Sequence, residues 1–419
     1  MGPGIVSAET WDPSRYVSYS SLNLHRQCPQ AWAYRYLRGI ERIEDFKVHA
    51  DFGTWFHLIK DAESLERGHA LGTLIYSPES LDMPGTPTRF LRVGEPGSVR
   101  YRLGSEGPEV SLTPSLVLGL SEKVWSRQTL DYREAFTEAL GEDLPTRLTS
   151  TYSKWISRWE EERENEEPLA VEFKFRRPLP EVPGEPVVPG YVDEIYRDRK
   201  RGLVVVRDTK TSSKLDASDA EDDLSDSQTH LYAWGVEEAL REFNLKVDAV
   251  AYDRVRSVAP KQPKVTASGG LSASVKDYDL GTYLAWAAGP DGDGVLWGEE
   301  GEHFKTGKRA GEPKWGRYLA EDKEIARLST PSAQSVWFQR TLTPLNRNII
   351  RAHVQSAVDT QQAAQQTVHR FKTTGEAARN FNRRQCGWCD FRKLCRAELL
   401  AGPGGDFPLR EWNLREKKS

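Results

Sequence analysis

The side chains best placed to do chemistry stand in a short central stretch. Asp193 closes the run Gly190-Tyr191-Val192-Asp193, and across a polar turn the run Leu203-Val-Val-Val-Arg-Asp208-Thr209-Lys210-Thr211 supplies a second acid and a lysine. Two β-rich runs around a polar, Gly-containing turn predict a hairpin. Alternation along the first run points Val192 and Glu194 one way and Tyr191, Asp193 and Ile195 the other, so Asp193 shares a face with apolar neighbours. Residues 203–206 are continuously apolar, as in a strand buried on both faces, and they lead straight into Asp208, Thr209 and Lys210. Carboxylates beside apolar strands are costly to bury unless a counter-charge is supplied, and a divalent cation is the usual one.

The four cysteines form the second constellation: Cys386-x2-Cys389-x5-Cys395 near the end of the chain and Cys28 alone near its start. The terminal trio has metal-ligand spacing. A zinc ribbon would add a second Cys-x2-Cys knuckle or a histidine pair, and neither is present. Cys28 is the thiol left to complete a set of four, the number a cubane iron–sulfur cluster takes, with structural zinc as the rival. The run Gly301-Glu-His-Phe-Lys-Thr-Gly307-Lys308-Arg309 fails as a phosphate loop. Five residues separate its glycines where four are needed, and Arg309 stands where Ser or Thr is required. An ATP-driven helicase is therefore not expected of this chain.

The hairpin resembles the active-site hairpin of the RecB-like branch of the PD-(D/E)XK nucleases, whose pattern Gly-x-x-Asp, turn, Asp-x-Lys-Thr is matched by Gly190, Asp193, Asp208, Lys210 and Thr211. The opening motif of that branch, Ser-x-Ser-x-Leu followed by Cys-Pro and Tyr-x-Tyr-Leu, is matched by Ser18, Ser20, Leu22, Cys28, Pro29, Tyr34, Tyr36 and Leu37. Its Gly-x-x-x-His is matched by Gly53 and His57, and its Gln-x-x-x-Tyr by Gln228 and Tyr232. The four cysteines stand in the order seen in the iron–sulfur members, which include CRISPR-associated RecB-type exonucleases, the AddB nuclease domain and exonuclease V.

This resemblance implies an α/β, restriction-endonuclease-like core: a mixed central sheet flanked by helices, with large insertions and an iron–sulfur-stapled helical region. It implies a metal-dependent DNA exonuclease acting on single strands or free ends in recombination, repair or phage DNA processing. His57, Asp193, Asp208 and the Thr209 carbonyl would hold Mg²⁺ or Mn²⁺, with Lys210 catalytic, Glu172 a supporting acid, and Gln228 and Tyr232 ordering the site. Cys28, Cys386, Cys389 and Cys395 would hold a 4Fe–4S cluster that staples the two ends. The alternatives are a non-catalytic DNA-binding scaffold and a subunit working only with a helicase or integration partner.

The elements that must position these groups read as follows. Residues 18–37 open a helix that Pro29 breaks at Cys28, with aromatics packing as core, and residues 51–67 form an amphipathic helix carrying His57. Residues 68–167 read as an insertion, largely loop and then helical, with an acidic end that reads as solvated helix. The nuclease core spans 168–256: a strand with Glu172, the hairpin, a helix from 225 to 242 and a further strand from 246 to 254. Residues 257–335 form a second insertion of unknown role, whose Lys305, Lys308, Arg309, Lys314 and Arg317, interleaved with Phe304 and Trp315, could touch a nucleic-acid strand. Residues 336–371 read as one long helix leading to the cysteine cluster, itself ringed by Arg383, Arg384, Arg392, Lys393 and Arg396.

Composition bounds the rest. With 419 residues, 29% charged and 38% hydrophobic, the chain is sized for two ordinary domains or one elaborated one. No apolar run approaches a membrane span and no signal peptide opens the chain, so an intracellular location is expected. A net charge of −4 gives no global basic field, which leaves nucleic-acid contact to local patches.

Overall fold

The structure, a computed structural model, describes residues 17–42, 46–215, 227–261, 263, 274–288, 295–297, 303–305, 310–313, 316–318, 322–401 and 412–414. The chain opens with α1 (Tyr19–Gln27), capped by Ser18, and α2 (Pro29–Trp32), followed by a π-helical turn (Ala33–Leu37) and strand β1 (Ile40–Arg42). Pro29 occupies the first helical position of α2 and leaves Cys28 extended at the break between the two helices. The long helix α3 (Val48–Leu71) ends at Gly72 in the left-handed conformation. Four short strands, β2 (Ser80–Asp82), β3 (Arg89–Arg92), β4 (Arg100–Leu103) and β5 (Glu109–Ser111), make an antiparallel sheet. Then come α4 (Pro114–Trp125), α5 (Leu130–Leu140), α6 (Leu144–Arg158) and α7 (Glu160–Glu164).

The central unit follows: β6 (Glu166–Pro178), β7 (Val187–Asp198), β8 (Leu203–Ser212), α8 (Ser227–Leu240) and β9 (Ala249–Arg256). After α9 (Leu280–Ala288), β10 (Val295–Trp297), β11 (Gly316–Tyr318), α10 (Asp322–Leu328) and α11 (Pro331–Gln334), the chain returns as β12 (Phe338–Pro344) and α12 (Arg347–Thr374). It closes with α13 (Arg383–Trp388), α14 (Arg392–Ala401) and β13 (Trp412–Leu414), which pairs with β1.

The main sheet has five strands in the order β12-β9-β8-β7-β6, antiparallel except for β8 and β9. That parallel pair needs a crossover, and α8 supplies it. Val204 and Val206 of β8 enter a core with α8 and α12, while Val205 between them packs on Tyr196, Ala249 and Ala251. The apolar run thus fills both faces of a central strand, as its composition demands. The opposite side of the molecule is a second core in which Phe52, Trp55 and Phe56 of α3 meet Phe90, Tyr101, Phe136 and Trp155. The expected mixed sheet flanked by helices is what the chain forms.

Several expectations are corrected. Residues 336–371 are not one helix: residues 338–344 form β12, an edge strand of the main sheet, because Gln339 to Thr343 pair with β9 and α12 begins only after Pro344. The stretch expected to be largely loop contains β2 to β5 and shares the α3 core, burying Phe90 and Tyr101. The acidic run before β6 is not all solvated, since Glu166 is buried between Arg207 and Arg340. Strict alternation through Asp193 also fails: Tyr191 is 42% exposed, and Val192 and Ile195 enter the same core. In the second insertion Phe304 is only 3% exposed and is unavailable for base stacking. Lys308, Arg309, Lys314 and Trp315, and the side chain of Arg317, lie outside the described residues.

Candidate active site

Strands β7 and β8 are zipped from Asp198↔Leu203 to Glu194↔Arg207, and there the ladder stops. The next residue on each strand is an aspartate, Asp193 and Asp208, so the two acids sit where the strands part. On the far side of β7, Glu172 lies between the pairs Val171↔Glu194 and Phe173↔Val192, opposite Asp193. Glu172 has φ +47, a left-handed conformation that costs a non-glycine residue about 1–3 kcal/mol. Three neighbouring strands therefore each bring one carboxylate to a single fork.

Helix α3 delivers the imidazole. A Cβ on Gly53 would lie 2.5 Å from Thr211 Oγ1, so only glycine lets the helix sit this close to the end of β8. One turn on, His57 Nδ1 stands 3.3 Å from Asp193 Oδ2, which also accepts the Thr209 backbone N–H at 2.7 Å. Gly190 has a parallel role. A Cβ there would lie 2.2 Å from the Phe175 ring, and that ring packs edge-on to Tyr232 at 5.4 Å. The motif glycines are thus spaces kept for a helix and for a ring.

Ligand atoms of His57, Glu172 and Asp193 all lie within 4.8 Å of one another. Beside them Lys210 Nζ stands 2.8 Å from Asp208 Oδ2 and donates to Gln228 Oε1 at 3.0 Å, while the Gln228 amide faces Asp208 Oδ1 at 3.3 Å. Burial, opposed by Lys210, leaves the Asp208 carboxyl raised to about 6, and burial together with the Asp193 charge pushes Glu172 up to about 8. Burial also raises Asp193, raises the Tyr232 hydroxyl, and depresses His57 to about 3, which keeps its ring neutral.

Sequence reasoning missed the rest of the α3 face. His57, Lys60, Asp61 and Ser64 recur at helical spacing on an otherwise buried helix, and His57, Lys60 and Ser64 meet polar partners on the sheet. Lys60 donates to Thr209 Oγ1 at 2.7 Å and to Asp253 Oδ2 at 3.1 Å, and Ser64 donates to Glu194 at 2.9 Å. Asp61 is held well above the usual carboxylate range by burial, then by the charges of Glu172 and Asp193. Its Oδ2 has no hydrogen-bond partner among the described residues. A polar stripe inside a buried helix was the signal available.

Behind the fork lies an ion network. Arg207 bridges Glu194 at 2.9 Å and Glu166 at 2.5 Å, and Arg340 bridges Glu166 at 2.9 Å and Asp253 at 2.7 Å. Asp253 is driven far below the usual carboxylate range, burial notwithstanding, by Arg340, Lys60 and Arg207. The acids behind the sheet are neutralised by the chain's own cations. At the fork only Lys210 stands close, beside Asp208, among the described residues, and four acids whose proton affinity is raised, a neutral imidazole and the Asp61 oxygen without a hydrogen bond make a donor set suited to a divalent cation.

At the ends of the chain, Cys28, Cys389 and Cys395 pack against Ala31, Tyr34, Ile40, Phe391 and Leu394, and Cys386 Sγ contacts the Asn380 carbonyl at 3.5 Å. All four thiols are free and half-buried. Burial raises Cys389 and Cys395, and the charge of Cys28 adds to both. Soft donors drawn from both ends of the chain to one small apolar cluster fit a thiolate-held metal group.

The mixed sheet whose strands part over paired acids, with a lysine two residues after one of them, is the frame of a nuclease family that uses divalent metals. Residues 16–396 match the PD-(D/E)XK nuclease superfamily, and the chain belongs to that superfamily. No curated protein matches it. No helix among the described residues is long and apolar enough to cross a membrane.

Proposed function

We propose that this chain is a DNA exonuclease of the RecB-like kind, acting on single strands or DNA ends and stapled by a 4Fe–4S cluster. The observation that carries the reading is the meeting of His57, Glu172 and Asp193 within 4.8 Å, beside the Asp208–Lys210–Gln228 contacts. His57, Asp193, Asp208 and the Thr209 carbonyl would hold Mg²⁺ or Mn²⁺, with Glu172 as supporting acid. When bound, such an ion polarises the scissile phosphate and makes a water more acidic.

The remaining work falls to the chain. Burial keeps His57 unprotonated, so its lone pair is available as a donor. Lys210, fixed between Asp208 and Gln228, presents ammonium protons to orient the attacking water and to steady charge on the phosphate oxygens. Gln228 accepts from that lysine, and Tyr232, one turn on along α8, packs edge-on to the Phe175 ring.

The test uses end-labelled linear and circular DNA, single- and double-stranded, with Mn²⁺ or with chelator. Metal-dependent loss of linear strands with circles spared is expected from the isolated chain. Asp208→Ala and Lys210→Ala should each lower the rate by about 10²–10³-fold or more with the fold intact. An unchanged rate in either variant refutes its role. Activity only upon adding a helicase or integration partner would make the chain a dependent subunit. Cleavage of circles would replace the exonuclease reading with an endonuclease.

A further inference from the structure

Among the described residues, the segment leading into and through α13 carries the most exposed aromatics. Trp388, between Cys386 and Cys389, is 88% exposed, and Phe381, just before the Asn382 cap of α13, is 76% exposed. A tryptophan so bare contributes little to packing. Gly387 beside it has nothing within 4 Å of where a Cβ would stand, so the approach to the indole is open.

Around these rings the charge balance inverts. Residues 381–396 carry Arg383, Arg384, Arg392, Lys393 and Arg396 against the single acid Asp390, in a chain whose overall charge is −4. All five cationic residues are exposed. Leu399 and Leu400 near the end of α14 are exposed as well, but the two rings stand among the cations. Exposed rings interleaved with cations match a strand that offers flat bases and regularly spaced phosphates.

We propose that Trp388 and Phe381 form a base-stacking platform for single-stranded DNA, with the surrounding arginines holding its phosphates. The proposal rests on the nuclease reading and adds to it a surface outside the catalytic fork. Asn380, next to Phe381, donates to the Gln27 carbonyl at the end of α1, and α1 packs on both α12 and α8, which carries Gln228 and Tyr232.

The test is equilibrium binding of fluorescein-labelled oligo-dT in chelator, where no cleavage occurs, so the outcome is independent of whether the chain is a nuclease. Trp388→Ala should weaken binding about five- to a hundredfold, and Phe381→Ala should weaken it in the same direction. Trp388→Phe should retain most of the affinity, whereas Trp388→Leu, apolar but without a π face, should not. Arg384→Gln should lower the slope of log K against log salt by about 0.7. Circular dichroism and the thermal midpoint should match wild type in all variants, because these side chains are exposed. Equal affinity of wild type and Trp388→Ala overturns the platform, as does equal binding by the Leu and Phe variants. Binding of labelled oligo-U with equal affinity and equal sensitivity to Trp388→Ala would overturn the assignment to DNA in favour of single strands of either sugar. Loss of cleavage in Asp208→Ala with full oligo-dT binding would separate the two readings.

Discussion

At the scale of single residues, the site is built as much by absences as by reactive groups. Gly53 carries no chemistry, yet a Cβ there would come within 2.5 Å of Thr211 Oγ1, so its absence lets α3 seat where His57 meets Asp193. Gly53→Ala should push the imidazole out of line and lower kcat by about 10²-fold, the usual cost of a displacement near 1 Å. The double variant Gly53→Ala/Thr211→Ala, which removes the colliding hydroxyl, should recover much of that loss in a steady-state assay. Failure of the second change to help would show that some other contact seats the helix. This part of the site was legible in sequence, because Gly-x-x-x-His and Gly-x-x-Asp are local spacings fixed by one helix and one strand. Lys60 and Asp61 were not legible as site residues: nothing in their own neighbourhood says that Thr209, Asp253 and Glu172 will face them.

Between elements, the main sheet is held edge to edge by buried charge. Arg340 on β12 bridges Glu166 on β6 and Asp253 on β9, and Arg207 on β8 bridges Glu166 and Glu194. Breaking a buried pair leaves an uncompensated ion, so Arg340→Met should cost about 3–5 kcal/mol in urea unfolding. A loss under about 1 kcal/mol would mean water reaches the network. Residues 336–344 read as helix from sequence because the following run is helical; their strand identity depends on β9, far back in the chain.

A second joint pairs α1 with α12, where His25 Nε2 lies 2.9 Å from Thr367 Oγ1 and the ring packs edge-on to Trp32. Burial lowers His25 to about 4, from an unfolded value near 6.5. The unfolded chain therefore takes up a proton that the folded one refuses. The stabilisation is complete above about pH 6.5 and is lost progressively as pH falls toward 4. Unfolding midpoints at pH 7.5 and 5 should differ less in His25→Gln than in wild type, and equal differences would dismiss the histidine as the cause.

Over the whole molecule, the two ends meet. β1 pairs with β13, Gln30 accepts the Ala377 N–H at 2.8 Å, and Cys28 joins Cys389 and Cys395 in one apolar cluster. Cys28→Ser should lose iron in a ferrozine assay of anaerobically purified protein and lower the thermal midpoint, with the fork residues untouched. Wild-type protein holding one zinc and no iron would replace the cluster with a structural ion. The pairing of the ends was legible as a count of thiols, but the apolar pocket around them was not, since Tyr34, Ile40 and Leu394 become neighbours only on folding.

The ion network has a further consequence for a chain made from its N-terminus onward. Every residue of the fork, from His57 to Tyr232, has been synthesised long before Arg340 emerges, yet Glu166 and Asp253 share that guanidinium. A ribosome-bound or truncated product ending near residue 256 would carry the fork residues and still lack Arg340 and strand β12. Strand β12 and the guanidinium shared by Glu166 and Asp253 are thus the last parts of the main sheet to be made. A fragment of residues 17–256 should give an unfolded circular dichroism spectrum, and a cooperatively folded fragment would contradict this timing.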